Sequence, residues 1–350
     1  MNRPKDTKEY RQKIADAFAH VLEEEGLSWK KGWSGAGITS PRNGVTNACY
    51  KGCNRFHLAL LAMANGYTDP RWVTMVQIMD QDGKYHPKEK WHLQAGSKAT
   101  YVEYWFPMER PTEEGQKGKP VSWEQFREAI RNGRDPEEFY LTARYTAVFH
   151  ASMVDGMPEL KTEQKQTIEG SELIEKLSEN MNVPIYHDGE GQAYYSPKTD
   201  DIHLPDKQSF KSEYEYNATA LHELSHSSGA EHRLNRKLLN FFGTPEYAYE
   251  ELVAEMSSCF MSANIQTEIS EEHIRNHKAY VQSWIQEIRN QPEMLMRAIK
   301  DAEQAANYMD FMAELITEEQ YERQRGQSIT VSETAVTPEL SPTEEPVLCL

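Results

Sequence analysis

Apolar residues recur every three or four positions over much of the chain, which is the spacing of an amphipathic helix. In residues 5–25, for example, Tyr10, Ile14, Phe18 and Leu22 fall on one helical face. The same reading predicts further helices at residues 55–65, 73–80, 122–132, 171–181, 212–228, 247–262, 271–289 and 293–318. Short apolar runs between them predict strands at residues 101–106, 145–150, 184–187, 193–196 and 200–204.

Two changes in composition divide the chain. Residues 156–170 are poor in core-forming side chains and are interpreted as a linker. Residues 321–350 are rich in Ser, Thr, Pro and Glu, which predicts a disordered tail. We therefore predict an α+β fold with two domains, a mixed α/β domain at residues 1–155 and a helix-rich domain at residues 171–320. The length of 350 residues agrees with two domains.

The net charge of −17 is unevenly distributed along the chain. Residues 1–150 carry +3 and the remaining 200 residues carry −20, while residues 28–100 alone carry +6. A basic segment in an acidic protein indicates an anionic partner such as nucleic acid, bound at the N-terminal half. Chance clustering of solvated charges is the alternative explanation.

Cysteine content and hydropathy argue against a four-thiolate metal site, a signal peptide and a membrane span. The chain has four cysteines, and the close pair Cys49 and Cys53 is too small for a four-thiolate metal site. The N-terminus lacks the apolar region of a signal peptide, and no apolar run approaches 18 residues. We therefore expect a reduced, cytoplasmic protein without a membrane span.

The strongest chemical pattern is the sequence His222-Glu223-Leu224-Ser225-His226. Residues four apart lie on one face of a helix, so both imidazoles can reach one ion. Glu223 is placed to take a proton from a water molecule whose pKa the ion has lowered. We predict a mononuclear metal site with Zn²⁺ as the first ion and another divalent ion such as Mn²⁺ as the alternative. The alternative explanation of the same pattern is a pair of solvent-facing histidines on an acidic surface helix.

Two residues compete as the third protein ligand of this site. His232 completes the spacing H-E-x-x-H-x-x-G-x-x-H, which is typical of metzincin peptidases. Glu251 lies on the following predicted helix, four positions before Glu255 and on the same face. One of these carboxylates could bind the metal while the other orients a ligand histidine. The spacing alone leaves both candidates open.

The chain resembles the ArdC-type antirestriction proteins of conjugative plasmids and other mobile elements over residues 5–318. The N-terminal part of the resemblance rests on Pro41, Asn43, Thr46, Tyr50, Gly52 and Asn54, followed by Gly66-Tyr67, Asp69-Pro70-Arg71-Trp72 and Thr74. The C-terminal part rests on Ala193-Tyr194-Tyr195, Asp201-Ile202-His203-Leu204-Pro205, His222 to Gly229, Arg233-Leu234-Asn235-Arg236, Tyr247-Ala248 and Glu250 to Glu255.

The resemblance implies a single-stranded-DNA-binding domain followed by a zincin-like metallopeptidase domain. It favours His222, His226 and Glu251 as metal ligands, Glu223 as the general base and Glu255 as a residue that supports a ligand. His232 then becomes the less favoured ligand. Whether proteolysis occurs, and on which protein substrate, does not follow from the resemblance.

Cations and aromatic rings alternate in the basic N-terminal segment, as single-strand binding requires. Most aromatic residues of a small domain are nevertheless core residues, and Phe56 and Trp72 have that character. The candidate DNA-binding residues, taken from the segment and from the resemblance, are Trp33, Arg42, Asn43, Tyr50, Lys51, Asn54, Arg71 and Trp72.

Three functions therefore remain open at the level of sequence. The first is an antirestriction protein that binds single-stranded DNA and protects incoming DNA from host restriction. The second is a metal-dependent protease that cleaves a specific host or repressor protein. The third is a single-stranded-DNA-binding protein whose metal is purely structural.

Overall fold

The structure is a computed structural model. It describes residues 3–25, 40–80, 83–86, 90–111, 113, 115–160, 168–189, 191–238, 244–262 and 278–332. No helix within these residues is long and apolar enough to cross a membrane.

The N-terminal half is built on a five-stranded sheet in the order β1-β2-β6-β4-β5. Its strands are β1 (Arg42–Asn43), β2 (Arg71–Thr74), β4 (Thr100–Glu109), β5 (Lys119–Pro120) and β6 (Phe139–His150). β1 runs parallel to β2, and the other neighbours are antiparallel. β4 and β6 form the long central pair, in which Thr100 lies opposite Val148 and Glu109 opposite Phe139. β3 (His92–Leu93) and β7 (Val154–Asp155) form a separate antiparallel pair.

Among the described residues, four helices accompany this sheet: α1 (Thr7–Glu25), α2 (Gly52–Asn65), α3 (Met75–Ile78) and α4 (Trp123–Arg131). α2 ends at Gly66, whose left-handed φ of 65° is available to glycine without steric cost. α4 begins with a capping box in which Ser122 and Gln125 satisfy each other's backbone N–H groups. α4 covers one face of β4 and β6, where Phe126 packs edge-on against Phe139.

The described part of the C-terminal half combines six helices with a small sheet. The sheet has the order β8-β10-β9, formed by β8 (Ile185–Tyr186), β9 (Tyr194–Ser196) and β10 (Asp201–His203). The helices are α5 (Gly170–Met181), α6 (Glu213–Ser227), α7 (Pro245–Ser262), α8 (Lys278–Asn290), α9 (Pro292–Met312) and α10 (Glu318–Ser332). α6 carries the H-E-x-x-H sequence and packs against α7. The side chain of Ser212 accepts a hydrogen bond from the Glu215 N–H and so caps the start of α6.

The two halves share one hydrophobic core. Its buried residues include Phe18 of α1 and Phe56 of α2 from the N-terminal half, and Leu221 of α6 and Trp284 of α8 from the C-terminal half. α1 packs against α8 and α9, far along the chain from its own sequence position. The first helix therefore contacts the C-terminal helices as well as the N-terminal sheet.

The helices at the C-terminal end differ from the sequence-based expectation. One helix was expected over residues 293–318, but α9 stops at Met312 and α10 starts at Glu318. Glu314 adopts a left-handed φ of 60° between them, which breaks the helical path. α10 continues to Ser332 and so covers the first part of the segment expected to be a disordered tail. Residues 333–350 lie outside the described residues.

Candidate metal centre and nucleic-acid interface

Two packed helices bring three potential ligand side chains to one point. His222 and His226 project from consecutive turns of α6, and their Nε2 atoms are 3.1 Å apart. Glu251 of α7 faces both rings, with Oε2 3.6 Å from the His222 Nε2 and Oε1 3.6 Å from the His226 Nε2. Among the described residues, these three form the group of His, Cys, Asp and Glu side chains that could hold a metal ion.

The triangle fits a divalent ion. Ligand atoms about 2.0–2.2 Å from a tetrahedral ion lie roughly 3.3–3.6 Å from each other, close to the three observed separations. Three further carboxylates, those of Glu223, Glu250 and Glu255, are buried near the rings. This excess of negative charge favours a cation between the two imidazoles. A triangle of three protein ligands also leaves a fourth tetrahedral position for water or substrate.

Glu223 follows His222 in α6 and is only 6% exposed. Burial, together with the nearby Glu251 carboxylate, raises the pKa of Glu223 to about 7, although His226 acts in the opposite direction. The backbone N–H of Tyr195 in β9 donates a hydrogen bond to this carboxyl group. The position and protonation behaviour of Glu223 suit a group that exchanges a proton near neutral pH.

A carboxylate to which the sequence assigned no role lies beside the second nitrogen of His226. His226 Nδ1 lies 3.3 Å from Oε1 of Glu250, which is 6% exposed. Arg236 in turn donates to Glu250 through Nη2 at 2.8 Å and Nε at 3.1 Å. Arg236 Nη2 also donates to the backbone oxygen of Ser225, within the motif itself. In the sequence, Glu250 is visible only as a second acidic residue directly before Glu251. Its burial and its pairing with His226 and Arg236 are visible only in the packed structure.

The other histidine has a comparable neighbour. His222 Nδ1 lies 3.7 Å from Oε2 of Glu255, which is 1% exposed. The distance is longer than a good hydrogen bond, but the arrangement is the one expected of a residue that orients a ligand. Burial by itself would raise the pKa of Glu251, but its contact with His222 and the charge of both imidazoles lower it to about 2. Glu251 therefore presents its anionic, metal-binding form.

The competing ligand His232 lies elsewhere. Its side chain is 63% exposed, and its Nε2 is 3.3 Å from Oδ2 of Asp200. Asp200 also forms a two-pronged ion pair with Arg233, and Tyr195 Oη donates to it at 2.7 Å. Arg233 Nη1 donates to the backbone oxygen of Ser227 as well, which connects the hairpin of β9 and β10 to the end of α6. The geometry thus supports Glu251 over His232 as the third ligand.

Two family models match the chain in succession. The N-terminal domain of anti-restriction factor ArdC matches residues 8–149, and a zincin-like metallopeptidase family matches residues 172–301. The crystal structure of the antirestriction ArdC protein from the R388 plasmid in its metal-free form is similar, with a TM-score of 0.64 and 25% identity. That similarity covers 88% of this chain and 99% of the other.

The chain is an ArdC-type protein. The Mn(II)-bound structure of the R388 protein is also similar, with a TM-score of 0.61 and 25% identity over 87% of this chain and 97% of that one. These similarities confirm the resemblance and the two-domain fold class inferred from the sequence.

Longer relatives contain a segment similar to this ArdC-type chain. Two proteins named DNA primase TraC from Escherichia coli are 34% and 32% identical to it over 86% of its residues. The chain spans only 27% and 20% of their lengths. The uncharacterized protein y4eC of Sinorhizobium fredii is 29% identical over 85% of this chain and 90% of its own length.

Several candidate DNA-binding residues of the ArdC-type N-terminal half have structural partners. Asn43 Oδ1 accepts from the backbone N–H groups of Val45 and Thr46 at 3.0 Å, which builds the turn after β1. Asn54 bonds both the backbone N–H and the backbone oxygen of Glu103 at the edge of β4. These amides hold the fold in addition to any contact with a ligand.

Two further candidates are also engaged within the protein. Arg71 forms a two-pronged pair with Asp69, at 3.1 Å and 2.7 Å to Oδ2. Trp72 is 2% exposed and packs against Leu58 and Val102, so its ring presents no surface to a base.

The remaining candidates lie at or near the surface. Arg42, Tyr50 and Lys51 are partly exposed around the start of α2. Burial raises the pKa of Tyr50, and a hydrogen bond with Asn43 opposes the shift. Trp33 lies outside the described residues. The structure therefore brings Arg42, Asn43, Tyr50 and Lys51 to one region, with the cations partly open to solvent.

Proposed function

We propose that this ArdC-type chain protects incoming DNA from host restriction by binding single-stranded DNA with its N-terminal half, and that its C-terminal half is a metal-dependent peptidase. The observation that carries the peptidase assignment is the triangle of His222, His226 and Glu251 with the buried Glu223 beside it. Zinc is the first ion to test, because it is the common occupant of such a donor set, and Mn²⁺ is the second.

Each residue of the site would have a separate role in peptide hydrolysis. His222, His226 and Glu251 would hold the ion, which when bound supplies Lewis acidity for the scissile carbonyl and for water. Glu223 accepts the proton of the attacking water and returns it to the leaving amine. Glu250 holds His226 through Nδ1, so that Nε2 of the same ring lies beside His222 and Glu251 and would be available to the ion. The backbone N–H of Tyr195 holds the Glu223 carboxyl group by a hydrogen bond.

A purely structural metal is the second candidate function. A structural zinc site usually has four protein ligands, and it has no use for a carboxylate beside the ion. The described part of the chain offers three ligands and a buried Glu223. This arrangement favours a catalytic site over a structural one.

The DNA-binding assignment rests on charge and on family. The model of the ArdC N-terminal domain matches residues 8–149, within the part of the chain that is not acidic overall. The strongly acidic C-terminal half would repel phosphates. Single-stranded DNA is therefore expected on the N-terminal half, with an affinity that falls as salt rises.

The test compares plasmid transfer into a restricting and a non-restricting recipient. The wild-type protein should raise the ratio of transfer into the restricting recipient to transfer into the non-restricting recipient. The Glu223→Gln variant separates catalysis from binding. If the variant folds, keeps its metal and loses protection, the peptidase takes part in protection. Full protection by that variant would remove the peptidase from this function, and no protection by the wild type would reject the antirestriction assignment for this chain.

A further inference from the structure

One face of the N-terminal sheet presents aromatic rings and cations to solvent. Side chains alternate between the two faces of a strand, so Tyr104 and Phe106 of β4 share a face with Arg144 of β6, which lies directly opposite Tyr104. Tyr104 is 54% exposed and Arg144 is also exposed. Tyr140 belongs to the same face, because it lies opposite Met108. We call these five residues the β4–β6 face.

The rings of this face are arranged as stacking partners. The Tyr104 and Phe106 rings are nearly parallel, at 15°, with their centroids 6.3 Å apart. The Arg144 guanidinium lies 5.0 Å from the centroid of Phe106. At the end of the strands, Arg110 lies 5.3 Å from the centroid of the Tyr140 ring. Flat rings interleaved with guanidinium groups match the unstacked bases and phosphates of a single strand.

The opposite face of the same strands is covered. Trp105 and Phe139 are buried there under α4. The acidic residues of β4 also occupy the positions of this covered face, where Glu103 accepts from Trp105 Nε1 at 2.8 Å and Glu109 pairs with Arg134 at 2.6 Å. Among the described residues, the five of the β4–β6 face thus include no carboxylate, although the whole chain carries −17.

Two cations, Arg110 and Lys117, lie past the strand ends. A depression of about 630 Å³ adjoins the face and is lined by Met108, Arg110, Pro111, Gln116, Lys117, Gly118 and Tyr140. Among the described residues, Arg144 has no carboxylate partner, which leaves its guanidinium available for a phosphate. The face and the depression together form a path of rings and cations along β4 and β6.

We propose that the β4–β6 face is a stacking platform for single-stranded DNA, with bases on Tyr104 and Phe106 and a phosphate at Arg144. This inference rests on the proposed function of the N-terminal half, but it assigns binding to the sheet rather than to the segment around Arg42 and Lys51. An extended single strand fits because stacking on rings tolerates any base sequence. Duplex DNA hides its bases and does not fit.

The experiment measures binding of a fluorescent oligothymidylate to the full-length protein by anisotropy, at low salt and along a salt series. Tyr104→Ala and Phe106→Ala should each weaken binding at least about fivefold, and Tyr104→Phe should retain wild-type affinity because it keeps the ring. Arg144→Gln should lower the slope of log affinity against log salt by about 0.7, the contribution of one phosphate contact.

Matched controls separate this site from general effects. Tyr186→Ala removes a ring that is 47% exposed in the C-terminal half, and Arg127→Gln removes an exposed cation on α4, which covers the opposite face. Both should bind as the wild type does, and circular dichroism should report the same fold for all variants. If the wild type binds and the Tyr104 and Phe106 variants bind equally well, the platform is rejected while the proposed function stands. If the wild type itself does not bind, the DNA-binding function and the platform are rejected together.

Discussion

His226 shows how the two nitrogens of one ring can serve different partners. Its Nε2 faces His222 and Glu251, whereas its Nδ1 faces Glu250. Burial alone would lower the pKa of His226, but the hydrogen bond to Glu250 and the surrounding carboxylates raise it. The same carboxylates that favour a proton on the ring favour a divalent cation in its place, and metal binding then releases protons.

Substitution of single residues distinguishes Glu251 from His232 as the third ligand. Glu251→Ala should abolish stoichiometric metal binding, because two imidazoles alone leave the ion with too few protein ligands. His232→Ala should retain the metal, since its exposed ring lies beside Asp200. Elemental analysis of both variants next to the wild type measures the outcome. Retention in the Glu251 variant with loss in the His232 variant would reverse the assignment.

At the scale of elements, the candidate metal centre depends on how α6 and the segment after it are fixed to α7. Arg236 joins the two, because its guanidinium bonds Glu250 of α7 and the backbone oxygen of Ser225 in α6. The ion pair is buried on both sides, with side-chain exposures of 8% and 7%. Such a pair is sensitive to loss of one partner, because the other is then left charged and without water.

Glu250→Gln should therefore weaken metal affinity by roughly 10- to 100-fold, the usual effect of changing a residue that supports a metal-binding histidine. The amide still accepts a hydrogen bond from His226 but no longer neutralises Arg236. Competition with a chromophoric chelator measures the dissociation constant. Glu246→Gln, an exposed position on the same helix, is the control and should bind metal as the wild type does. Equal affinities for the two variants would show that Glu250 does not support the site.

The sequence predicted the helices and strands better than it predicted the contacts between them. The four-residue spacing of Tyr10, Ile14 and Phe18 was sufficient to predict α1, because these residues are buried on one helical face. The spacing of His222 and His226 likewise predicted that they share a face. It could not choose between His232 and Glu251, because that choice depends on how α7 packs against α6. Glu250 was missed for the same reason, since neither its burial nor its partner is visible in linear sequence.

At the scale of the whole molecule, the N-terminal and C-terminal halves are not independent. Gln12 of α1 donates to the backbone oxygen of Arg289 at 3.3 Å, and Arg289 pairs with Glu23. The N–H of Gly52, at the start of α2, donates to Oε2 of Glu303 in α9 at 2.9 Å. A carboxylate from the C-terminal half thus stabilises the N-terminus of an N-terminal helix, whose own preceding residue offers no side-chain cap.

This shared core predicts that both halves unfold together. Phe18 is fully buried and packs edge-on against Phe56 at 4.9 Å, so Phe18→Ala should lower the free energy of unfolding by about 3–5 kcal/mol. Metal release and loss of tryptophan fluorescence should coincide along a urea titration of the loaded protein, and both midpoints should shift equally in the variant. A metal centre that survives after the N-terminal half has unfolded would contradict this coupling.

A buried histidine of the N-terminal half makes the stability of the molecule sensitive to acid. His57 of α2 is 1% exposed, and burial lowers its pKa to about 4, with only a contact to the Tyr101 backbone acting against the shift. The unfolded chain, with an ordinary histidine pKa of 6.5, binds the proton more tightly than the folded one. Stability from this residue is therefore complete above about pH 6.5 and falls as the pH is lowered toward 4, by a total on the order of 3 kcal/mol.

Urea unfolding at several pH values in this window tests the effect. His57→Asn removes the titrating group and should flatten the dependence of the free energy of unfolding on pH, whatever its effect on stability near neutral pH. His92→Asn, at an exposed position in β3, is the matched control for the substitution itself. If the His57 variant loses stability with acid as steeply as the wild type, the acid sensitivity arises elsewhere. If it flattens, the buried imidazole of His57, which contacts Tyr10 of α1 and Tyr101 of β4, carries the acid sensitivity in this pH window.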